Sequence, residues 1–330
     1  MRILALAVLV VTVCCSGTAE HAGTPTPTPA SSSPSALPTP TPSPQPAQRV
    51  ELSLPVPIEE TAAAAANGNL YVMGGFNAAG ASLNTVFVFD GAGWQTGPPL
   101  ALPLDHPAAA SLEGSVYIAG GHSNGVDSAR LFRLDGGAWT ELARMHFARG
   151  GHALVAVAGK LYAIGGSTSR GNVAQVEAYD PAVNSWTVVS SLPGPRNHVS
   201  GFALNGSACL AGGRSPATPR VDCFDPATGA WSRLPDLPRA TSGGGAAAFD
   251  DGEVVVAGGQ DATETRIVDQ LVFYGAGDAW TGGDAMQSPR HGFELVNYEG
   301  RAWACGGGSA PGLHPVATCT SLGDPAASNG

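Results

Sequence analysis

A pair of adjacent glycines recurs through most of the sequence, and this repeat restricts the fold more than any other feature. The pairs begin at six positions: Gly74, Gly120, Gly165, Gly212, Gly258 and Gly306. A further glycine precedes each pair by six residues, and Asn67, Asn205 and Asp251 stand directly before three of those glycines. Asn-Gly and Asp-Gly favour the positive φ angles of a two-residue hairpin turn. Each unit therefore predicts a strand, a tight turn, and a second strand that ends at Gly-Gly.

Aromatic residues recur in the same order within the units. A third predicted strand, such as QVEAYD at 175–180, ends in an aromatic residue and Asp. A tryptophan follows in five units: Trp94, Trp139, Trp186, Trp231 and Trp280. Paired glycines let two backbones approach closely, and the aromatic side chains fill the space between sheets. A four-stranded sheet that repeats about every 40–50 residues is typical of a β-propeller blade.

The order of Gly-Gly, Tyr/Phe-Asp and Trp resembles the kelch repeat over about residues 49–322. The resemblance implies an all-β, six-bladed kelch-type β-propeller with four-stranded antiparallel blades. The sixth unit is one strand short. The segment VELSLPVP at 50–57 resembles the sequences of the fourth strands in the other units. We therefore predict that a strand at about 49–54 completes blade 6 and closes the ring, which removes an exposed edge.

The N-terminal region predicts export. Residues 1–15 form a predicted signal peptide, because Arg2 precedes an apolar run of eleven residues that is too short to span a bilayer. Cys15 follows in a pattern that resembles the lipobox of bacterial lipoproteins, and we expect lipidation there. The alternative is an ordinary secretory signal cut near Ala19 or Ala22. We expect a location in the bacterial cell envelope, with membrane contact only through the lipid, or otherwise secretion.

Two further segments flank the predicted propeller. Residues 16–48 are rich in Pro, Thr and Ser, a composition typical of a disordered, semi-rigid linker. We expect residues 323–330 to form a loose tail.

Four cysteines remain after the signal region, and their spacing predicts two disulfides. Cys209 and Cys223 fall on the second and third strands of blade 4, and Cys305 and Cys319 take related positions in blade 6. Each pair is expected directly opposite across two strands, where a disulfide can form. Export favours Cys209–Cys223 and Cys305–Cys319. The alternatives are four free thiols or, less well supported by the spacing, a zinc site.

Arginines cluster at the predicted entrance of the central channel. The candidate ligand-binding residues are Arg149, Arg196, Arg214, Arg239, Arg290, His198, His291 and Gln260. An arc of arginines in an acidic protein would attract a carboxylate by charge and by paired hydrogen bonds. The alternative is that these arginines form structural pairs with carboxylates such as Asp180 or Asp225.

The net charge of −10 argues against sequence-independent binding of nucleic acid. We predict a monomeric, non-catalytic binding module that engages a protein segment or a glycan, including one that bears carboxylates, at the channel mouth. The alternatives are a carbohydrate-active enzyme similar to the kelch sialic acid epimerases, or a surface scaffold without a ligand. We expect no cofactor and no metal, and we assign no catalytic residue.

Overall fold

The computed structural model describes residues 51–275, 277–283 and 285–322. The predicted signal peptide, Cys15, the linker at 16–48 and the tail at 323–330 lie outside these residues. Within the described ranges the chain forms strands, turns and loops without a helix. Those same residues include no helix that could cross a membrane.

The first half of the propeller comprises one strand from the ring closure and three blades. The leading strand is β1 (Glu51–Ile58). Blade 1 contains β2 (Ala62–Ala66), β3 (Asn69–Met73), β4 (Val86–Phe89) and β5 (Trp94–Thr96). Blade 2 contains β6 (Asp105–Leu112), β7 (Ser115–Ser123), the short β8 (Val126–Asp127), β9 (Leu131–Asp135) and β10 (Ala138–Glu141). Blade 3 contains β11 (Gly150–Val157), β12 (Lys160–Thr168), the short β13 (Gly171–Asn172), β14 (Gln175–Asp180) and β15 (Ser185–Ser191).

The second half completes the ring with three more blades. Blade 4 contains β16 (Ser200–Leu204), β17 (Ser207–Ala211), β18 (Val221–Asp225) and β19 (Ala230–Leu234). Blade 5 contains β20 (Gly245–Ala248), β21 (Val254–Ala257), β22 (Leu271–Tyr274) and β23 (Trp280–Gly282). Blade 6 contains β24 (Leu295–Tyr298), β25 (Arg301–Cys305) and β26 (Val316–Ser321).

The leading strand closes the ring as predicted. β1 pairs antiparallel with β26, so the order in blade 6 is β1-β26-β25-β24. Leu52 lies opposite Cys319 in this pairing. The strand continues to Ile58, beyond the predicted end at about residue 54. The chain from both ends of the described region therefore contributes to one blade, and the six-bladed antiparallel architecture is confirmed.

The Gly-Gly pairs lie where neighbouring blades come closest. A Cβ added to Gly120 would lie 2.4 Å from the carbonyl oxygen of Arg149 in the next blade. Gly121 donates its backbone N–H to that same oxygen at 2.8 Å. The equivalent bond occurs in all six blades, and in the last blade Gly307 donates to Ile58, the residue that ends β1 just before blade 1. The repeat is therefore a backbone contact between blades that only glycine accommodates.

The aromatic residues of the repeat pack within each blade and between blades. The rings of Tyr179 and Trp186 lie 5.3 Å apart, and those of Phe224 and Trp231 lie 5.4 Å apart. Trp186 Nε1 donates to the carbonyl of Ala143 in the preceding blade at 2.9 Å. The tryptophan thus satisfies its polar atom while it fills the space between sheets.

Both predicted disulfides are present. Cys209 bonds to Cys223 between β17 and β18, and Cys305 bonds to Cys319 between β25 and β26. The two cysteines of each pair lie directly opposite in the strand register. The connectivity inferred from the repeat is therefore confirmed.

Candidate functional site

Six equivalent residues surround one end of the channel, just before or at the start of the innermost strands, and all have positive φ. We call them the inner ring: Glu60, His106, Gly151, His198, Gly243 and Gly292. Backbone bonds join neighbours in this ring, such as Glu60 N to the Gly292 carbonyl at 2.7 Å and His106 N to the Glu60 carbonyl at 3.0 Å. A residue other than glycine in this conformation costs about 1–2 kcal/mol. Because such strain tends to mark functional sites, its three side chains are candidates for function.

His106 is held between two carboxylates. Its Nδ1 lies 2.8 Å from Asp105 Oδ1, and its Nε2 lies 3.4 Å from Glu60 Oε2. Burial opposes a charge on the imidazole, but Glu60 and Asp105 outweigh burial and raise the pKa of His106 above its ordinary value. The ring of His198 lies 5.0 Å from that of His106. A histidine and a carboxylate from adjacent blades thus meet at the channel entrance.

His198 is fixed in one tautomer by its neighbours. Arg214 Nη2 lies 2.8 Å from His198 Nε2, and a guanidinium can only donate, so Nε2 accepts this bond. The proton then sits on Nδ1, which donates to Asn197 Oδ1 at 2.6 Å. Burial lowers the pKa of His198 well below its ordinary value. His198 is therefore a neutral imidazole whose Nε2 is its acceptor.

A second group of titratable side chains adjoins the first. His291 Nδ1 lies 3.6 Å from Glu60 Oε1, and His291 Nε2 lies 3.5 Å from Glu59 Oε1. Burial would raise the pKa of Glu60, but His106, His291 and His198 outweigh it and hold that pKa well below its ordinary value. For Glu59, burial is the largest influence and raises the pKa. Glu60 is therefore the ionised carboxylate that lies between the two groups.

An open cavity of about 300 Å³ lies above these side chains, and we call it the mouth cavity. Its lining residues are Glu59, Glu60, Phe76, His106, Arg214, Gln260, Glu264, His291, Gly312 and Leu313. Arg214 donates to Glu264 Oε2 at 2.5 Å and to Gln260 Oε1 at 3.3 Å. The cavity therefore combines charged and polar side chains that are hydrogen-bonded to one another with the apolar side chains of Phe76 and Leu313.

Deeper in the channel, Glu294 connects three blades. Its carboxylate accepts the backbone N–H of Ala63 at 2.7 Å and that of Ala109 at 3.2 Å. Burial raises the pKa of Glu294 to about 8, although the two N–H groups act in the opposite direction. This carboxyl is consequently largely protonated at neutral pH.

His152 lines the same channel and has a different environment. It is 4% exposed, and neither of its ring nitrogens has a hydrogen-bond partner among the described residues. Burial, together with Arg149 and His122, lowers its pKa well below the ordinary value. His152 is thus a buried neutral imidazole rather than a charged group.

Comparisons with known proteins agree with this architecture. A family model described as the Kelch motif matches residues 60–99 and 148–193. Kelch-like protein 35 of Mus musculus is 28% identical over 173 residues, which cover 51% of this chain and 29% of the relative. Alpha-scruin of Limulus polyphemus is 32% identical over 192 residues, which cover 54% of this chain and 21% of the relative. The chain thus spans less than a third of the length of either relative.

The two matched segments fall in blades 1 and 3, whose Gly-Gly contacts are the same as those of the other four blades. The chain is a six-bladed β-propeller that contains kelch motifs. The solved structure of YjhT is similar to this kelch propeller with a TM-score of 0.69 and 16% identity, covering 81% of this chain and 95% of that one. At that identity the likeness bears on the fold alone.

The kelch propeller buries three of the predicted arginines. Arg149, Arg196 and Arg290 are 0%, 2% and 1% exposed, respectively. Arg149 Nη2 pairs with Glu177 at 2.8 Å, and its Nη1 donates to the carbonyl oxygen of Gly165 at 3.0 Å. Arg149 therefore braces its own blade and is absent from the lining of the mouth cavity.

Arg196 and Arg290 follow the same pattern. Arg196 pairs with Asp222 at 2.8 Å, and Arg290 Nη1 donates to the carbonyl oxygens of Gly306 and Thr318 at 3.0 and 2.8 Å. The carboxylate partners of Arg149 and Arg196 are therefore Glu177 and Asp222, and not Asp180 or Asp225. A buried guanidinium already bonded to protein oxygens has a structural role.

The remaining predicted residues divide into two groups. Arg214, Gln260 and His291 line the mouth cavity, and His198 bonds directly to Arg214. Arg239 is outside the lining, and its largely exposed side chain pairs with Asp269 at 3.3 Å. The structure therefore brings together four of the eight predicted ligand-binding residues.

The sequence interpretation missed Glu59, Glu60, His106 and Glu294. A usable signal was present, because Glu60, His106 and His198 each stand fourteen residues before a Gly-Gly pair. Glycine occupies the equivalent ring position in the other three blades. Glu60, His106 and His198 could therefore have been selected from the sequence, as polar residues at a repeat position where the other three blades have glycine.

Proposed function

We propose that this kelch propeller is a non-catalytic binding module that holds a protein segment in the mouth cavity. The observation that carries the proposal is the cavity of about 300 Å³, whose lining combines fixed polar groups with apolar side chains. The kelch propeller fold is consistent with a protein-binding module. Concave sites lined by apolar groups and a few oriented polar groups are typical of ligand binding.

The chemistry of the cavity favours an extended segment with exposed carbonyl or carboxylate oxygens. Arg214 and Gln260 supply hydrogen-bond donors, and Phe76 and the half-exposed Leu313 supply apolar surface. A preference for carboxylates depends on Arg214, because the three buried arginines bond to the protein itself. Arg214 must then exchange Glu264 for the ligand, which favours ligands that reproduce a paired hydrogen bond.

A displayed random-peptide library, selected on the purified full-length mature chain, tests this function. We expect selected peptides to lose affinity in Arg214→Ala and Phe76→Ala, while the matched control Arg239→Ala binds as wild type. Arrays of acidic and neutral glycans form a second arm. Selective glycan capture would replace the protein segment with a carbohydrate ligand. Peptides that bind all variants equally would contradict the mouth cavity as the site.

A carbohydrate-active enzyme is the second candidate, and the contact between Asp105, His106 and Glu60 favours it. A histidine positioned by one carboxylate beside another is an arrangement used for proton transfer. The test is the rate at which N-acetylneuraminate anomers exchange, followed by NMR with and without the protein. An acceleration lost in His106→Asn would support the enzyme, and an unchanged rate would leave binding as the function.

We also propose export to the cell envelope with a lipid at Cys15. The support is the apolar N-terminal run and the two disulfides, which are typical of an oxidising compartment. Fractionation of cells should place the wild-type chain with membranes and Cys15→Ser in the soluble exported fraction. Recovery of both proteins in the cytoplasm would contradict export.

A further inference from the structure

We propose that Glu60, His106 and His198 form a binding site for one divalent transition-metal ion, with zinc as the reference ion. The donor atoms of the three side chains all lie within 4.8 Å of one another. They come from the same inner-ring position in blades 1, 2 and 4. Two imidazoles and one carboxylate are a common ligand set for Zn²⁺ and for other first-row divalent ions.

The backbone of all three ligand residues adopts a conformation that is sterically unfavourable for residues other than glycine. Glu60, His106 and His198 have φ angles of 54°, 52° and 51°, whereas glycine occupies the other three ring positions. Since glycine adopts this conformation without steric penalty, the repeat itself has no need for a side chain there. The strain is therefore associated with the three residues whose donor atoms converge.

The surroundings of both histidines match those of metal ligands. In each, Nδ1 bonds to the side chain of the preceding residue, Asp105 at 2.8 Å and Asn197 at 2.6 Å. Those partners are held in turn, because Ser82 Oγ donates to Asp105 and Asn197 donates to Asn172, both at 2.6 Å. A metal-bound histidine usually bonds through its other ring nitrogen to such a partner, which orients the ring. Here that arrangement leaves Nε2 of each histidine as the ring nitrogen that would bind the ion.

Glu60 provides the negative charge that a cation requires. Its Oε2 lies 3.4 Å from His106 Nε2 and its Oε1 lies 3.6 Å from His291 Nδ1. A buried carboxylate is stable only beside a compensating cation or strong hydrogen bonds. An ion bound by Glu60 and His106 would supply that positive charge directly at the carboxylate.

Arg214 competes with the metal for one ligand. Its Nη2 lies 2.8 Å from His198 Nε2, the atom that must bind the ion. Arg214 also bonds to Glu264, which can retain the guanidinium once it leaves His198. Metal binding therefore requires a short movement of Arg214, and shortening this side chain should favour the metal.

The test is a calorimetric titration of Zn²⁺ into the full-length mature chain, prepared with a chelator and without a histidine tag. We expect one ion per chain and affinity at least about tenfold weaker in Glu60→Gln, His106→Asn and His198→Asn. Asparagine tolerates positive φ, so the two histidine variants should fold, and Glu60→Gln keeps the size and shape of the native side chain. Thermal unfolding checks all three variants. His146→Gln, which changes a mostly exposed histidine, is the matched control and should bind as wild type.

Two further measurements keep the assignment falsifiable. Arg214→Ala should bind Zn²⁺ severalfold more tightly than wild type, and equal or weaker binding would overturn the assignment of His198 as a ligand. Co²⁺ should give visible absorption bands that His106→Asn alters. Absence of zinc binding by the wild type, or equal binding by all ligand variants, would overturn the site. Because the probe is zinc alone, either result is independent of whether the mouth cavity holds a peptide.

Discussion

Two positions only two residues apart in each blade behave in opposite ways. The first is occupied by Ile58, Leu104, Arg149, Arg196, Thr241 and Arg290, whose carbonyls accept the bond from the Gly-Gly pair of the adjacent blade. The second is the inner ring, with Glu60, His106 and His198 among its six residues. Arginines at the first position are buried, whereas charged groups at the second face the mouth cavity.

The comparison shows that charge alone does not identify a binding residue in this repeat. Arg149 and Arg196 are strongly basic, yet their guanidinium groups bind carbonyls and carboxylates of their own blades. His106 was not among the residues predicted from the sequence, yet the inner-ring backbone brings it beside His198. The direction of the side chain, which depends on the local backbone, decides between structure and function.

The largest expected effect is at the buried arginine position. Arg149→Ala takes the guanidinium away from the buried Glu177, which keeps His146 and two backbone N–H groups as partners, so the free energy of unfolding should fall by about 3–5 kcal/mol. Arg196→Ala should lower the free energy of unfolding by less, because Arg220 also pairs with Asp222 at 2.7 Å. Urea unfolding monitored by tryptophan fluorescence measures both. A loss below about 1 kcal/mol in Arg149→Ala would contradict a structural role.

In the inner ring, replacing a glycine should destabilise the fold more than replacing a histidine by glycine. Gly292→Ala adds a Cβ at a φ of 64°, 2.8 Å from Glu60 Oε1, and should lower the free energy of unfolding by about 1–2 kcal/mol. His106→Gly relieves backbone strain while it removes contacts, so its change should be smaller than about 1 kcal/mol. Denaturant titration of both variants makes the comparison. A larger loss in His106→Gly would show that this histidine is needed for folding.

Glu294 should make stability depend on pH. Its pKa is raised from an ordinary 4.5 to about 8, so the folded protein binds this proton more tightly than the unfolded chain. The stabilising contribution is fully present below about pH 4.5 and is lost as the pH rises towards 8. Glu294→Gln should remove this dependence, and the difference in unfolding free energy between the two proteins should change across that range. A constant difference would contradict the raised pKa.

The smallest effect is expected at Arg239, which the sequence placed with the other arginines. Its side chain is 67% exposed and its pairing with Asp269 is open to solvent. Arg239→Ala should change the free energy of unfolding by less than about 0.5 kcal/mol, because exposed ion pairs contribute little. A melting temperature more than a few degrees below wild type would show an interaction beyond this pair.

Local chemistry in the repeat was sufficient to predict the architecture. Each Gly-Gly pair permits one backbone contact between blades, and each repeated strand has the same neighbours, so spacing in sequence translates directly into position in the ring. The closing strand and both disulfides followed from the same register. These features depend on contacts within one repeat or between adjacent repeats.

The candidate site was predicted only in part because its residues meet across blades. Arg214, Gln260, His198 and His291 were chosen from loop positions near the mouth, and they do lie there. Glu60 and His198 are separated by 138 residues and meet only when the ring closes. The repeat register assigns the two residues equivalent ring positions, but the convergence of their donor atoms is visible only in the closed ring.

The sequence by itself determined the number of blades, the strand that closes the ring and the pairing of the cysteines, since the repeat specifies them locally. Only the tertiary structure decided which of the candidate polar side chains converge at the channel mouth and which are buried in the blades. Positive φ at the inner ring turns Glu60, His106 and His198 towards one point, while two residues earlier the chain directs Arg149, Arg196 and Arg290 into the blades. The physical reason is that a change of backbone angle over two residues redirects a side chain from the wall of the propeller to its opening.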